Sequence, residues 1–169
     1  MLTDQLALAQ NALLVAFVLT VVYTDWRWRR IPNAVTYPTI LVGLALASLR
    51  GLGGPGAGGL LDHVAAVVLA FLVCYPFYAA GGLKAGDAKL LMAVGALKGT
   101  FFFLAAAFYG ALVGGVIALG VIGVRRLAPP APGEPPRTFR RLLGIWIPYG
   151  VALGIGTLLA LAVDLGRAA

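Results

Sequence analysis

The sequence predicts an all-α polytopic membrane protein, with about six transmembrane helices in a single domain that covers residues 1–169. Composition is the first reason, because 61% of the 169 residues are hydrophobic and 11% are charged, whereas a soluble domain carries about 25% charged residues. The second reason is that several apolar stretches approach the roughly 20 residues that cross a bilayer as a helix. These stretches also lack the apolar–polar alternation of membrane β-strands.

The predicted apolar spans lie at residues 6–23, 34–49, 60–80, 88–97, 101–124 and 143–163. The fourth span is short, since ten residues make a helix of about 15 Å, roughly half of a hydrocarbon core. It therefore either starts below the membrane surface or includes part of the preceding glycine-containing loop. Both arrangements place Asp87 near the membrane boundary. A proline-rich loop at 128–136 and a basic segment at 137–141 precede the sixth span.

The basic residues predict the orientation of the chain. The formal charge is +7, but the Lys and Arg residues lie between apolar runs, so we expect the lipid bilayer as their partner and no nucleic acid. Ten of the 13 follow the first, third and fifth spans, and short loops rich in Lys and Arg face the cytoplasm. We therefore expect an inner (cytoplasmic) membrane protein with its N-terminus outside.

Few other residues in the sequence could bind a metal ion. Cys74 is the single cysteine, so a Cys-x-x-Cys zinc site is excluded within this chain, and a packing role is expected for it. We expect no metal and no cofactor. His63, beside Asp62 on the predicted outer side, is interpreted as polar surface.

Two of the six acidic residues stand out by position. Asp25 and Asp87 fall at the predicted cytoplasmic ends of the first and fourth helices. Two carboxyls that approach closely share a proton, so one can act as an acid and the other as a base. The same positions also permit two different roles. Each Asp could cap a helix or pair with Arg27 or Lys89, or the pair could serve a small transporter or channel as proton or cation sites.

Two motifs surround these acids. Asp25 is followed by Pro32 and Asn33, and Asp87 lies in a segment with Gly86 and Lys89. In this order they resemble the motifs of the type IV prepilin peptidase family, the GxGD-type membrane aspartic peptidases. The family's second motif is Gly-x-Gly-Asp-x-Lys, and the segment 148–150 with its small downstream residues is similar to the family's closing helix.

The resemblance implies a function. It implies an aspartic endopeptidase that cleaves the short basic leader peptide of type IV or Flp-like prepilins at the cytoplasmic membrane face, with Asp25 and Asp87 as catalytic residues. It implies motif-support roles for Pro32, Asn33, Gly86 and Lys89. Larger members add a cysteine-rich zinc domain that methylates the product. This chain has no such insertion, and is similar to the small, peptidase-only members of tight-adherence pilus systems.

The chain departs from the family pattern at one position, where Lys84 replaces the first motif glycine. If that glycine provided a backbone shape that glycine alone adopts easily, Lys84 would require a shifted turn, for which Gly81 and Gly82 are available. Glycines four residues apart, at 110 and 114 and at 150 and 154, predict close helix packing within the monomer.

Overall fold

The computed structural model describes residues 2–51, 59–127 and 149–168. Within these residues the regular structure is helical throughout, which confirms the predicted class. The helices are α1 Leu2–Trp28, α2 Asn33–Gly51, α3 Leu60–Ala79, α4 Ala85–Lys98, α5 Thr100–Leu127 and α6 Tyr149–Ala168. Each predicted span falls on one of them, although residues 143–148 of the last span, the proline-rich loop and the basic segment 137–141 lie outside the described residues.

The first helix is longer than its apolar core. It continues past the predicted end at residue 23 to Trp28, because the polar residues that follow include no helix breaker. The helix stops where Arg29 turns to φ 54° and its N–H donates to the Asp25 carbonyl at 2.9 Å. Asp25 therefore belongs to the last turns of a helix, which fixes the direction of its Cα–Cβ bond.

Four helices are long and apolar enough to cross a membrane. Among the described residues these segments are Asp4–Trp28, Leu60–Ala79, Thr100–Val124 and Tyr149–Arg167. The protein is thus a polytopic membrane protein, while the predicted total of six spans stays a prediction. Helix α4 has 14 residues, a length of about 21 Å, and is therefore shorter than the roughly 30 Å hydrocarbon core.

Helix α4 occupies the centre of the bundle, where it contacts each of the other five helices. Most of its residues are buried, and glycines allow its close approach to two neighbours. A Cβ added at Gly43 of α2 would lie 2.8 Å from the Ala96 backbone, and one at Gly95 would lie 3.0 Å from the Ala66 Cβ. The central position means that α4 carries Asp87 between the longer helices.

The end of the bundle remote from Asp25 and Asp87, here called the distal end, is held by polar contacts. Lys98 Nζ donates to Asn11 Oδ1 and to Asp164 Oδ2, both at 2.9 Å, which joins α4 to α1 and α6. The Thr100 N–H donates to the Asp62 carboxylate at 3.2 Å, so Asp62 of α3 caps the start of α5.

The interpretation of His63 as polar surface is wrong. Its side chain is 4% exposed, and Nδ1 lies 2.9 Å from the Ala96 carbonyl oxygen. Since a carbonyl can only accept, Nδ1 carries the proton and donates. His63 is therefore an internal hydrogen-bond donor that ties α3 to α4. The sequence did not reveal this partner because Ala96 is 33 residues away.

Candidate active site

Asp25 lies in the last two turns of α1 and is 4% exposed. Its Oδ2 accepts a hydrogen bond from the Val151 N–H at 3.3 Å. Val151 belongs to the first described turn of α6, and its backbone N–H points at the Asp25 carboxyl. The side chain of one helix is thus held by the backbone of another, 126 residues away in sequence.

Asp87 lies in the first turn of α4 and is 3% exposed. Its Oδ2 accepts the Lys84 N–H at 3.0 Å, and its own N–H donates to the Lys84 carbonyl at 3.1 Å. This reciprocal pair resembles the contacts of a helix N-cap, with the carboxylate satisfying a backbone donor that the helix leaves open. The predicted capping role is therefore real for Asp87, and its hydrogen bond fixes the position of the carboxyl.

The two carboxyls interact although α1 and α4 contribute one each. Asp87 lies outside the four long apolar segments, and burial raises its pKa to about 6. The hydrogen bond from the Lys84 backbone and the Lys84 charge lower that pKa, whereas the Asp25 carboxylate raises it. A carboxyl with a raised pKa beside a second carboxyl is the arrangement in which one group holds a proton and the other does not.

Gly86 explains how the two motifs can approach each other. A Cβ added at Gly86 would lie 3.1 Å from the Ile31 Cβ, so the start of α4 packs directly on the segment that links α1 to α2. The Pro32 carbonyl in this segment accepts the N–H groups of Val35 and Thr36 at 3.1 and 3.2 Å. The segment therefore both begins α2 and supports the backbone beside Asp87.

Lys89 contacts the first motif and not the Asp87 carboxyl. Its Nζ donates to Asn33 Oδ1 at 2.9 Å and lies 5.0 Å from the centre of the Tyr37 ring. Of the support residues predicted from sequence, Asn33 and Lys89 thus bind each other, and Gly86 and Pro32 shape the backbone. All of them lie at the same end of the bundle as the two acids.

Lys84 is accommodated without strain. Its φ and ψ are −89° and 154°, an extended conformation that any residue adopts. The positive φ that the turn requires occurs at Gly81, at 76°, after which the N–H groups of Gly82 and Leu83 donate to the Phe77 carbonyl at 2.9 and 3.2 Å. The glycine-dependent turn therefore lies three residues before Lys84, where Gly81 and Gly82 were expected to supply it.

Sequence reasoning missed the contribution of α6. Gly150 lies directly against the acid, since a Cβ added there would lie 2.7 Å from Asp25 Oδ2, and Val151 supplies the hydrogen bond. The spacing of Gly150 and Gly154 predicted close packing, and this packing is confirmed because a Cβ at Gly154 would collide with Val22 of α1. No sequence signal identified which side chain would receive that contact.

Two cavities flank the motifs. An open depression of about 720 Å³ lies over the link between α1 and α2, lined by Trp28, Arg30, Ile31, Pro32, Asn33 and Ala34. A groove of about 350 Å³ runs between α2, α3 and α4, with Tyr37, Phe71, Tyr75, Tyr78, Met92 and Lys89 in its lining. Asp87 lines neither cavity, because on α4 it faces away from the groove residues at 85, 88, 89 and 92.

The described residues contain no group of three or more His, Cys, Asp or Glu side chains that could hold a metal ion. The arrangement that they do contain is a buried pair of carboxyls at helix ends. Such a pair can accept and donate protons to a reacting group.

Comparison with known proteins agrees with the motifs. The family model described as the type IV leader peptidase family matches residues 12–119, a range that includes both acids and all four support residues. No curated protein and no solved structure matches the chain. The matched range covers well over half of the sequence, so the chain belongs to the type IV leader peptidase family and is a membrane-embedded peptidase.

Proposed function

We propose that this peptidase uses Asp25 and Asp87 as an aspartic pair to cleave the short basic leader from type IV or Flp-like prepilins. The observation that carries the proposal is the burial of two carboxyls from separate helices at the same end of the bundle, where the Asp25 charge also contributes to the raised pKa of Asp87. Family membership supplies the reaction class, which is hydrolysis of a peptide bond.

The two environments suggest separate roles. Asp87 holds a proton in the mildly acidic range because burial raises its pKa, so it donates that proton to the scissile carbonyl oxygen. Asp25 takes a proton from water, and the water oxygen forms a bond to the carbonyl carbon. The tetrahedral intermediate then collapses. The C–N bond breaks, the proton on Asp25 passes to the leaving nitrogen, and the carbonyl oxygen returns its proton to Asp87.

The membrane face is part of the proposal. Basic side chains lie in the last turn of α1, directly after α1 and directly before α4, among them Arg27, Arg29, Arg30 and Lys84. Since cytoplasmic loops are rich in Lys and Arg, the site end of the bundle faces the cytoplasm. Trp26 and Trp28 there are 72% and 56% exposed, as expected for side chains in an interfacial aromatic belt.

A transporter or channel would require acids along a path across the membrane. Asp25 and Asp87 lie together at one end of the bundle, and at the distal end Asp62 and Asp164 are engaged with Thr100 and Lys98. No contact among the described residues favours the transport function over peptide hydrolysis.

The direct test is cleavage of a prepilin by the purified full-length chain in liposomes. A precursor with a short basic leader and an apolar helix should be cut at one position, and mass spectrometry of both products identifies it. If the purified protein left every such precursor intact but hydrolysed an unrelated membrane peptide, the proposed substrate would be wrong.

A further inference from the structure

We infer that Gly150 is a positioning residue, whose missing side chain lets the first described turn of α6 hold the Asp25 carboxyl through the Val151 N–H. The inference rests on the proposed function, because it concerns the group that takes the proton from water. It adds a third helix to a site that the motifs assign to α1 and α4. Gly150 and Val151 also lie beyond the residues 12–119 that match the family model.

The space around Gly150 supports this role. A Cβ at position 150 would lie 2.7 Å from Oδ2, 2.8 Å from Cγ and 3.0 Å from Cβ of Asp25. Carbon atoms do not approach one another this closely in proteins, and the Asp25 Cβ cannot rotate away because it is bonded to the helix backbone. Any side chain at position 150 therefore forces the Asp25 carboxyl to turn or separates α6 from α1.

The hydrogen bond from Val151 to the Asp25 carboxyl is the contact that Gly150 makes possible. Within residues 2–51, 59–127 and 149–168, the backbone donor that α6 offers to the Asp25 carboxyl is the Val151 N–H. This bond engages Oδ2 at 3.3 Å. A carboxyl that is held by a backbone donor loses its orientation when that donor moves, and small misplacements of a reacting group reduce rates strongly.

Gly154 provides a matched comparison on the same face of α6. It also lies against α1, but a Cβ there would meet the side chains of Val22 and Val18 and no carboxyl. The collision with Val22 can be relieved by shortening that side chain. Both glycines therefore serve helix packing, and only Gly150 is placed to orient Asp25.

The kinetic test compares three variants of the full-length chain in liposomes, with Asp25→Asn as the inactive reference. Gly150→Ala should lower kcat at least about tenfold while KM changes less than about twofold, since orientation of a catalytic group affects the chemical step. The double variant Gly154→Ala/Val22→Ala adds a methyl group to the same helix face and should keep kcat. Equal losses in both variants would assign Gly150 to packing alone and overturn the inference.

A second measurement does not require a substrate. Amide hydrogen exchange of Val151, followed by NMR on the valine-labelled protein, should be accelerated at least about tenfold in Gly150→Ala and in Asp25→Ala. The Gly154→Ala/Val22→Ala variant should exchange at the wild-type rate. Unchanged exchange in Gly150→Ala overturns the inference even where Asp25→Asn is inactive. Conversely, full cleavage by Asp25→Asn overturns the proposed function, while the exchange result still decides whether Gly150 positions the carboxyl.

Discussion

Lys89 Nζ donates a 2.9 Å hydrogen bond to Asn33 Oδ1, which joins the second motif directly to the first. From sequence, Lys89 was a possible partner of an aspartate carboxylate. The observed partner assigns Lys89 and Asn33 to the junction between α4 and α2. The two acids are then left with backbone donors, the Lys84 N–H for Asp87 and the Val151 N–H for Asp25.

The first prediction concerns the pair. Asp25→Asn and Asp87→Asn should each abolish cleavage, because asparagine keeps the shape but cannot accept or return the proton. Since the two groups act as a unit, the double variant should be no slower than either single variant. Cleavage by equal amounts of folded protein in liposomes measures this.

The matched control for that experiment is an acid at the distal end. Asp164→Asn removes a half-exposed carboxylate that pairs with Lys98, and it should cleave normally. Wild-type turnover by purified Asp25→Asn would exclude the aspartic mechanism.

The second prediction concerns pH. Burial raises the pKa of Asp87 to about 6, so this carboxyl keeps its proton below that pH and loses it as the pH rises. Cleavage that needs the protonated acid should therefore fall as the pH rises through about 6. The Lys84 charge lowers the same pKa. Lys84→Met should therefore move the falling limb of the pH–rate profile, the range in which the cleavage rate declines, to higher pH. Initial rates between about pH 4 and 9 would show both effects.

The comparison variant for the pH experiment is Arg50→Met at the distal end, where the arginine Nη1 binds Gln10 Oε1 at 2.7 Å. It removes one positive charge far from the site, so the position of the limb should not change. A limb that shifts equally in both variants would mean that net charge, and not the Lys84–Asp87 contact, sets its position.

The third prediction concerns the turn before α4. At a pH well below 6, where loss of the Lys84 charge does not change the protonation of Asp87, Lys84→Gly should cleave at about the wild-type rate, because the backbone at position 84 already has an ordinary extended shape and does not require glycine. Gly81→Ala should lower the stability by about 1 kcal/mol, since φ is 76° and this region is unfavourable for a residue with a Cβ. No atom lies within 4 Å of the added Cβ, so the cost arises from the backbone alone.

Thermal unfolding in detergent would compare Gly81→Ala with Gly59→Ala. Gly59 also has open space around an added Cβ but a negative φ of −67°, so its replacement should be nearly neutral. Equal effects of the two replacements would contradict the assignment of the turn to Gly81.

The fourth prediction concerns the distal end. Asp62→Ala removes the carboxylate that accepts the Thr100 N–H and should lower the stability by about 1 kcal/mol, the usual cost of a lost helix cap. Cleavage per folded molecule should not change, because Asp62 lies at the opposite end from Asp25 and Asp87. Thermal unfolding and activity of the same preparation separate the two effects, and a loss of kcat without a loss of stability would contradict them.

The fifth prediction concerns orientation. In a Cys74→Ala background, cysteines at positions 28 and 85 should react with a membrane-impermeant thiol reagent only after the inner face is exposed. A cysteine at position 61, where Leu61 is 85% exposed at the distal end, should react from outside. Labelling of position 28 or 85 in intact cells would reverse the proposed topology.

Sequence alone determined the fold class and the helices. A chain with few charges cannot form a water-soluble surface, and apolar runs bounded by glycine, proline and arginine place the first five helices and the end of the sixth within a few residues. It also identified the acids, because a carboxyl beside an apolar run is costly and Asp25 and Asp87 occur at helix ends in family motifs. The turn at Gly81 and the close packing at the glycines of α6 could also be predicted from sequence, because both are properties of short segments.

The tertiary structure alone decided the partners. His63 is internal because Ala96 lies opposite it, Lys89 binds Asn33 instead of a carboxylate, and Asp25 is held by Val151. Each of these contacts joins residues at least 33 positions apart in sequence. The sequence shows which side chains need a hydrogen-bond partner and which positions lack a side chain. It does not show which of several possible partners each of them contacts. Only the packing of the six described helices determines which of them lies within about 3 Å.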